Sequence, residues 1–338
     1  MKLRTVRTKN CSLETQILIN ESWIYLSEII ANNNNINPIG KGVLDILALS
    51  SDLRNEIMET GGRLAPSEGG ENIEKVEIPF QPLSYRDFLL WEKHYIDSAR
   101  GFAKKFYPKF FPIIKIYETV LRKPFPAFIP KGLWYKQPIY YMGNHLAFET
   151  DGYTIPIPDY CTVLDYELEF GIILSKPLFN ATPDEAEKAI GGFTLFNDIS
   201  ARNVQRAEMK SGFGLQKAKN FCNIMGSVVV TADEILPIWK NMNGQVKIND
   251  ETVARVNTAG AQFSLGECVA FVSKGEKLYP GEFFGSGTIP GGSGIENGFL
   301  LQAGDKIEMS IENIGSVTNY IGYNKDENKK RAHFARDY

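Results

Sequence analysis

Three acidic residues at alternate positions, Asp165, Glu167 and Glu169, stand in the otherwise apolar run 164–174, LDYELEFGIIL. On a strand they share one side with Gly171, while Tyr166, Leu168, Phe170 and Ile172 take the other. Carboxylates buried this close repel one another and hold on to protons unless a cation neutralises them. Oxygen-only ligands suit a hard cation such as Mg²⁺, Ca²⁺ or Mn²⁺. A half-exposed strand alternates in the same way, so a solvent-facing surface is the competing reading. Downstream, FTLFNDISARNVQ (193–205) ends a β-run at Asn197-Asp198. An acid there suits metal binding or catalysis, or simply caps a turn.

Upstream, YRDFLLWEKHYIDSARGF (85–102) reads as a helix with Ser84 as its N-cap. Asp87 and His94 then lie two turns apart on one face, a workable ligand-plus-base arrangement. A lone histidine on an amphipathic helix is equally an ordinary structural residue. Two glycine-rich pieces, 212–221 and 285–298, allow backbone to approach a ligand, and Lys219 in the first is placed to meet a developing anion. Read blandly, both are surface loops.

The elements that must hold these residues are mostly strands. Strand-like segments recur at CTVLDYELEFGIIL, GGFTLFNDIS, GSVVVTA, GQVKIND, TVARVN and DKIEMSIENIG, and VEIPFQPLS is extended. Helices are expected over 42–60 from the apolar spacing, over 182–190 with Thr182 capping, and from Ser264. Few helices between many strands argue against a doubly wound parallel sheet, and neither GxGxxG nor a P-loop is present. GGRLAPSEGGE (61–71) is the best linker candidate. The chain therefore divides into a small N-terminal domain of unknown role over 1–75 and a larger domain over 76–325, with a charged tail over 326–338.

Composition narrows the function. The chain has 338 residues, 43% apolar and 23% charged, enough for a sizeable core. With 37 basic against 40 acidic residues and a net charge of −3, no basic excess exists to neutralise phosphates, which argues against a nucleic-acid partner. No apolar run approaches the roughly 18 residues a membrane helix needs. Four scattered cysteines form no CxxC, and three histidines exclude a His-rich metal site. A soluble, reduced, cytoplasmic protein is expected.

Together the pieces resemble the fumarylacetoacetate hydrolase superfamily. DYELEFGIIL (165–174), GGFTLFNDISARNVQ (191–205), KNF (219–221), FSLGECVAFVSKGEKLYPGEFFGSGT (263–288) and GDKIEMSIENIGSVTN (304–319) carry the likeness, which spans roughly 84–319. The resemblance implies an α+β, mostly β fold, a mixed β-roll, in a homodimer. It implies one divalent cation, Mg²⁺ foremost, held by Asp87, Glu167, Glu169 and Asp198. His94 becomes the general base and Lys219 a catalytic cation, while Tyr141, Gln205 and Thr288 contact substrate. The acid that orients His94 is expected to be Glu296, with Glu92 as the alternative. Two positions depart from the family pattern: Leu89 replaces an aromatic hydroxyl, and Arg100 is the nearest match to an expected arginine.

The implied chemistry is hydrolysis of a C–C bond in an acylpyruvate or β-diketo acid, with His94 activating water and the cation stabilising the enolate. A lyase, decarboxylase, hydratase or isomerase of a 2-oxo acid would use the same site, and a non-catalytic small-acid binding protein is the third reading.

Overall fold

The alternation over 168–174 is buried on both sides. Phe170, Ile172 and Leu174 enter one core, whereas Ile173 enters another with Tyr85, Phe196 and Phe283. A computed structural model describes residues 1–33, 36, 40–64 and 73–322 of the chain. Among them the largest sheet has eleven strands. Its spatial order is Ser22–Tyr25, Leu13–Ile19, Lys2–Thr8, Asn223–Thr231, Ile190–Asn197, Leu168–Leu174, Glu282–Gly285, Ser84–Phe88 and Tyr140–Met142. Ile73–Glu77 also pairs with Lys2–Thr8, and Phe148–Glu149 with Asn223–Thr231. A five-stranded sheet, Glu251–Asn257, Asn243–Ile248, Lys306–Ile311, Gly315–Ile321 and Thr154–Ile155, shares the first core. The result is mixed α+β and strand-rich, as expected; no closed barrel is present among the described residues.

The expected helix over 85–102 is wrong at its start. Ser84–Phe88 is a strand, and the helix runs Glu92–Phe106. Tyr85 and Phe88 bury into different cores, so the segment is apolar on both faces; a strand buried on both sides is hard to tell from a helix by periodicity. Asp87 and His94 therefore come from two elements, not from one helix face. The helix expected over 42–60 is two, Val43–Leu47 and Ser51–Gly62, the second capped by Ser50. That expected over 182–190 is shorter, Pro183–Glu187, closed by a Thr182–Glu185 capping box, while Leu265–Val272 starts after Ser264 as predicted. Helices Phe111–Leu121 and Arg202–Ser211 were not foreseen from the periodicity.

The division at 75/76 does not interrupt the sheet. Lys2, Leu3 and Arg4 pair with Val230, Val229 and Val228, and Thr5 to Thr8 with Ile73–Glu77. Most of the predicted linker, and the predicted tail over 326–338, lie outside the described residues.

Candidate active site

Asp87, Glu169 and Asp198 converge at the end of three strands in the large sheet. Asp87 stands opposite Gly285, and Gly285 opposite Gly171, two residues beyond Glu169. Asp198 follows the last residue of Ile190–Asn197. One carboxylate oxygen from each of the three lies within 4.8 Å of the others, and all three side chains are buried. Two glycines make the approach possible. A Cβ on Gly285 would meet Asp87 Oδ1 at 2.2 Å, and one on Gly171 would meet the Phe283 ring at 2.0 Å. Below the acids, Tyr85, Phe148, Phe196 and Phe283 pack edge-to-face, tilted or stacked with centroids 5.1–6.0 Å apart.

The burial removes the solvent-facing reading of 165–169, because Asp165 and Glu169 are fully buried and Glu167 nearly so. The strand breaks between Leu164–Asp165 and Leu168–Leu174, and the three acids part company. Glu169 joins the triad. Glu167 turns to two cations: Arg202 Nη2 donates to its Oε1 at 2.8 Å, and Lys219 Nζ pairs with its Oε2. Asp165 accepts from Arg202 Nε at 2.7 Å. Lys219 also pairs with Asp198 and donates to Ser200 Oγ at 2.7 Å.

The charges do not balance. Among the described residues, Asp87, Asp165, Glu167, Glu169 and Asp198 share two paired Lys/Arg cations, Arg202 and Lys219, with His94 bordering Glu167. Burial, then repulsion from Asp198, pushes the Asp87 carboxyl well above its ordinary range. Burial, then Asp87 and Asp198, does the same to Glu169, whose carboxyl lies within hydrogen-bonding reach of Asp87. Asp198 is pushed up to about 6 by burial, against the pull of Lys219. Glu167 goes the other way: burial opposes ionisation, but Arg202 and Lys219 outweigh it and hold the group far below the usual range. Despite its burial, Lys219 is kept charged by Asp198 and Glu167.

This donor set fits a hard divalent cation. Among the described residues Glu169 Oε1 and Asp198 Oδ1 are buried with no hydrogen-bond partner, and Gly287 N is a backbone donor shared within the triad, 3.1 Å from Asp87 Oδ1 and 2.9 Å from Glu169 Oε2. Orphaned acceptors on mutually repelling carboxylates call for a positive ion with oxygen preference.

His94, in the first turn of Glu92–Phe106, borders the acids. Its Nε2 lies 3.8 Å from Glu167 Oε1, and its Nδ1 3.0 Å from Glu296 Oε2. The latter contact is close but not aligned as a hydrogen bond, so a small ring rotation separates proximity from a directed bond. Glu296 is itself fixed, accepting from Gly291 N at 3.0 Å and Ser293 Oγ at 2.7 Å. Glu92, the alternative, faces away and accepts from the Tyr135 hydroxyl.

The substrate-contact candidates cluster at the same end. Tyr141 donates to Asp198 Oδ2 at 2.8 Å and lies 2.9 Å from the Tyr85 hydroxyl. Gln205 accepts from Arg202 Nη1 at 2.8 Å. Thr288 is buried next to Gly287. Arg100 does not join them: it pairs with Glu118 and Asp97 on the outer side of its helix. Leu89 gives its carbonyl to Trp134 Nε1 at 2.7 Å. A cleft of about 670 Å³ opens behind Glu296, with Arg100, Lys104 and Lys115 among its walls.

Sequence reasoning gave Arg202, Ser200 and Tyr85 no individual role. For Arg202 a signal existed: five acids in the motifs against one lysine leave room for a second buried cation, and Arg202 sits between Asp198 and Gln205. Ser200 and Tyr85 carry no comparable signal in type or spacing.

Residues 127–322 match the family described as fumarylacetoacetate (FAA) hydrolase, C-terminal. An uncharacterised protein of Staphylococcus aureus strain USA300 is 35% identical over 173 residues, 51% of this chain and 57% of that protein, so the alignment spans little more than half of the relative. Among solved structures, fumarylacetoacetate hydrolase from Exiguobacterium antarcticum superposes with a TM-score of 0.67 at 19% identity, covering 95% of this chain and 99% of that one. For 5-carboxymethyl-2-hydroxymuconate delta-isomerase from Mycobacterium smegmatis the TM-score is 0.63 at 17% identity, with the same coverages. These likenesses are to the fold, and no helix among the described residues is long and apolar enough to cross a membrane. With more than half of its length matching the family, and that half holding Glu167, Glu169, Asp198 and Lys219, the chain belongs to the fumarylacetoacetate hydrolase family.

Proposed function

We propose that the protein is a metal-dependent hydrolase that cleaves a C–C bond in an acylpyruvate or related β-diketo acid, acting as a cytoplasmic homodimer. The supporting observation is the placement of one buried imidazole between Glu296 and the acid cluster. Asp87, Glu169 and Asp198, with Glu167 at their flank, would hold a divalent cation, Mg²⁺ foremost. Bound there, the ion supplies Lewis-acid polarisation of the oxo-acid oxygens.

The protein's own groups do the rest. Glu296, 3.0 Å from Nδ1, would fix the ring once that contact is aligned as a hydrogen bond, leaving the Nε2 lone pair toward the acid cluster. His94 takes a proton from water through Nε2, and the hydroxide adds to the carbonyl carbon remote from the carboxylate. The C–C bond beside that carbon then breaks, its electron pair passing into the enolate of the pyruvyl half. The His94 proton returns to that carbanion, releasing a carboxylic acid and pyruvate. Lys219, charged and aimed at the acids, balances the negative charge that develops, and Tyr141 and Gln205 orient the substrate.

The test is turnover of a panel of acylpyruvates, oxaloacetate and hydroxy-oxo acids with Mg²⁺ and with chelator. Metal-dependent release of pyruvate from an acylpyruvate is expected. Isomerised product of unchanged mass, or carbon dioxide from oxaloacetate alone, would replace the hydrolase with an isomerase or a decarboxylase.

A further inference from the structure

Asp165 carries no role in that chemistry, yet both of its carboxylate oxygens are held by N–H donors. It is fully buried and accepts four N–H donors, two on each oxygen. Tyr166 N and Gly294 N reach Oδ1 at 2.8 and 2.7 Å. Ile295 N and Arg202 Nε reach Oδ2 at 2.9 and 2.7 Å. Two of these donors open the short turn Gly294–Asn297, which presents Glu296 to His94. The same turn is clamped from its other side. A Cβ on Gly101, in the helix that carries His94, would meet the Ile295 carbonyl at 1.9 Å, and one on Gly294 would meet Asp165 Oδ1 at 2.4 Å. Backbone therefore touches backbone between the helix of the base and the turn of its partner, and Asp165 is the anchor behind them.

We propose that Asp165 is a positioning residue: it locks the turn that holds Glu296 against His94, and through Arg202 it fixes Glu167 at the other side of the same ring. This rests on reading His94 and Glu296 as the base and its partner. Arg202 spans the two sides, since its remaining nitrogens hold Glu167 Oε1 and Gln205 Oε1. A misplacement of about 1 Å in such a pair costs about 10²-fold in rate.

Asp165→Asn is the discriminating variant. A carboxamide has one acceptor oxygen. Whichever way it turns, its NH₂ faces two N–H donors, and each pair includes one from the 294–295 turn. The turn loses an anchor in either orientation. The chain has three histidines, His94, His145 and His333, so ¹⁵N-histidine labelling isolates His94. In Asp165→Asn the His94 Nδ1 resonance is expected to move toward its position in Glu296→Gln, while kcat falls about 10²-fold and KM changes less than about threefold. A His94 resonance at its wild-type position overturns the proposal, and so does a rise in KM at unchanged kcat. If wild-type protein turns over nothing in the oxo-acid panel, the hydrolase reading falls, but the resonance still decides the role of Asp165. Asp165→Ser, whose smaller side chain admits a water to the freed donors, is the second variant. Failure of both to fold assigns Asp165 to stability alone and also overturns the proposal.

Discussion

The three clustered carboxylates make a quantitative demand on metal and pH together. Asp198 has its carboxyl pushed up to about 6 from an ordinary 3.8, by burial first and then by Glu167, with Lys219 opposing. A group whose folded pKa is raised holds its proton more tightly in the folded protein than in the unfolded chain. Below about pH 4 both states are protonated and the group costs nothing. Between about 4 and 6 the unfolded chain loses the proton first, and the metal-free protein loses stability as pH rises. Above about 6 the whole cost is present. At 1.36 kcal/mol per unit, a shift of about two units amounts to about 3 kcal/mol for this one group. Asp87, raised by burial and then by Asp198, and Glu169, raised by burial and then by Asp87, extend the window upward.

A divalent ion on the triad removes that cost, so its stabilising increment must grow as pH climbs. Urea unfolding with saturating Mn²⁺ and with chelator, from pH 5 to 8, gives the increment directly. Other carboxylates cancel in the difference; Glu118, held below its ordinary value by Arg100, titrates alike in both arms. An ion at 100 times its Kd adds about 2.7 kcal/mol. As pH falls from 7 toward 6 the affinity should weaken about tenfold per unit for each proton displaced. Calorimetry in two buffers of different ionisation enthalpy counts those protons, and at least one per ion is expected near pH 6. A pH-independent increment with no proton released would refute the idea that these acids are held protonated for want of a cation.

Three substitutions test the surrounding geometry. His94→Ala should leave Mn²⁺ affinity near wild type while hydrolysis falls by about 10²–10⁴; unchanged turnover in the purified variant takes His94 out of the mechanism. Glu169→Gln removes a carboxyl that burial and Asp87 make costly to ionise, so it should abolish Mn²⁺ binding in calorimetry yet raise the melting temperature of chelated protein; wild-type affinity contradicts its assignment as a ligand. Gly171→Ala forces a Cβ onto the Phe283 ring and should cost about 1–3 kcal/mol in urea unfolding; a neutral result means that the aromatic floor beneath the acids yields more easily than its packing implies.

What could be read from the sequence was the chemistry-bearing residues and the strands that carry them. Spacing of two along 165–169 placed the acids on one strand; Glu169 does lie in Leu168–Leu174, but Asp165 ends the separate strand Leu164–Asp165 and Glu167 stands between the two. Spacing alone did not separate their roles, because the strand breaks at 166–167 and sends Asp165, Glu167 and Glu169 to three different partners. Asp87 was found by type but assigned to a helix, since a five-residue strand buried on both faces lacks any period-two signal. Nor is Arg202's reach to Asp165 and Glu167 a local property; it exists only once Arg202–Ser211 packs beneath the broken strand.

The N-terminal residues, which match no motif, acquire a physical reason from the second core. Leu3, Ile17, Ile19, Val43, Ile46, Leu47 and Ile57 share it with Tyr85, Phe148, Phe196 and Phe283. Those four aromatics are the floor under Asp87, Glu169 and Asp198. Phe196 and Phe283 hold their places because the described residues among 1–64 cover the side of the sheet facing away from the five-stranded sheet, and Lys2–Thr8 splices that cover onto Asn223–Thr231 by backbone bonds. A cluster of unmatched charges needs a rigid, dry base, since water admitted from below would solvate the carboxylates and weaken their call for a cation. The N-terminal segment supplies that base. It acts on the site from beneath, through packing, which is why no residue type in it hints at chemistry.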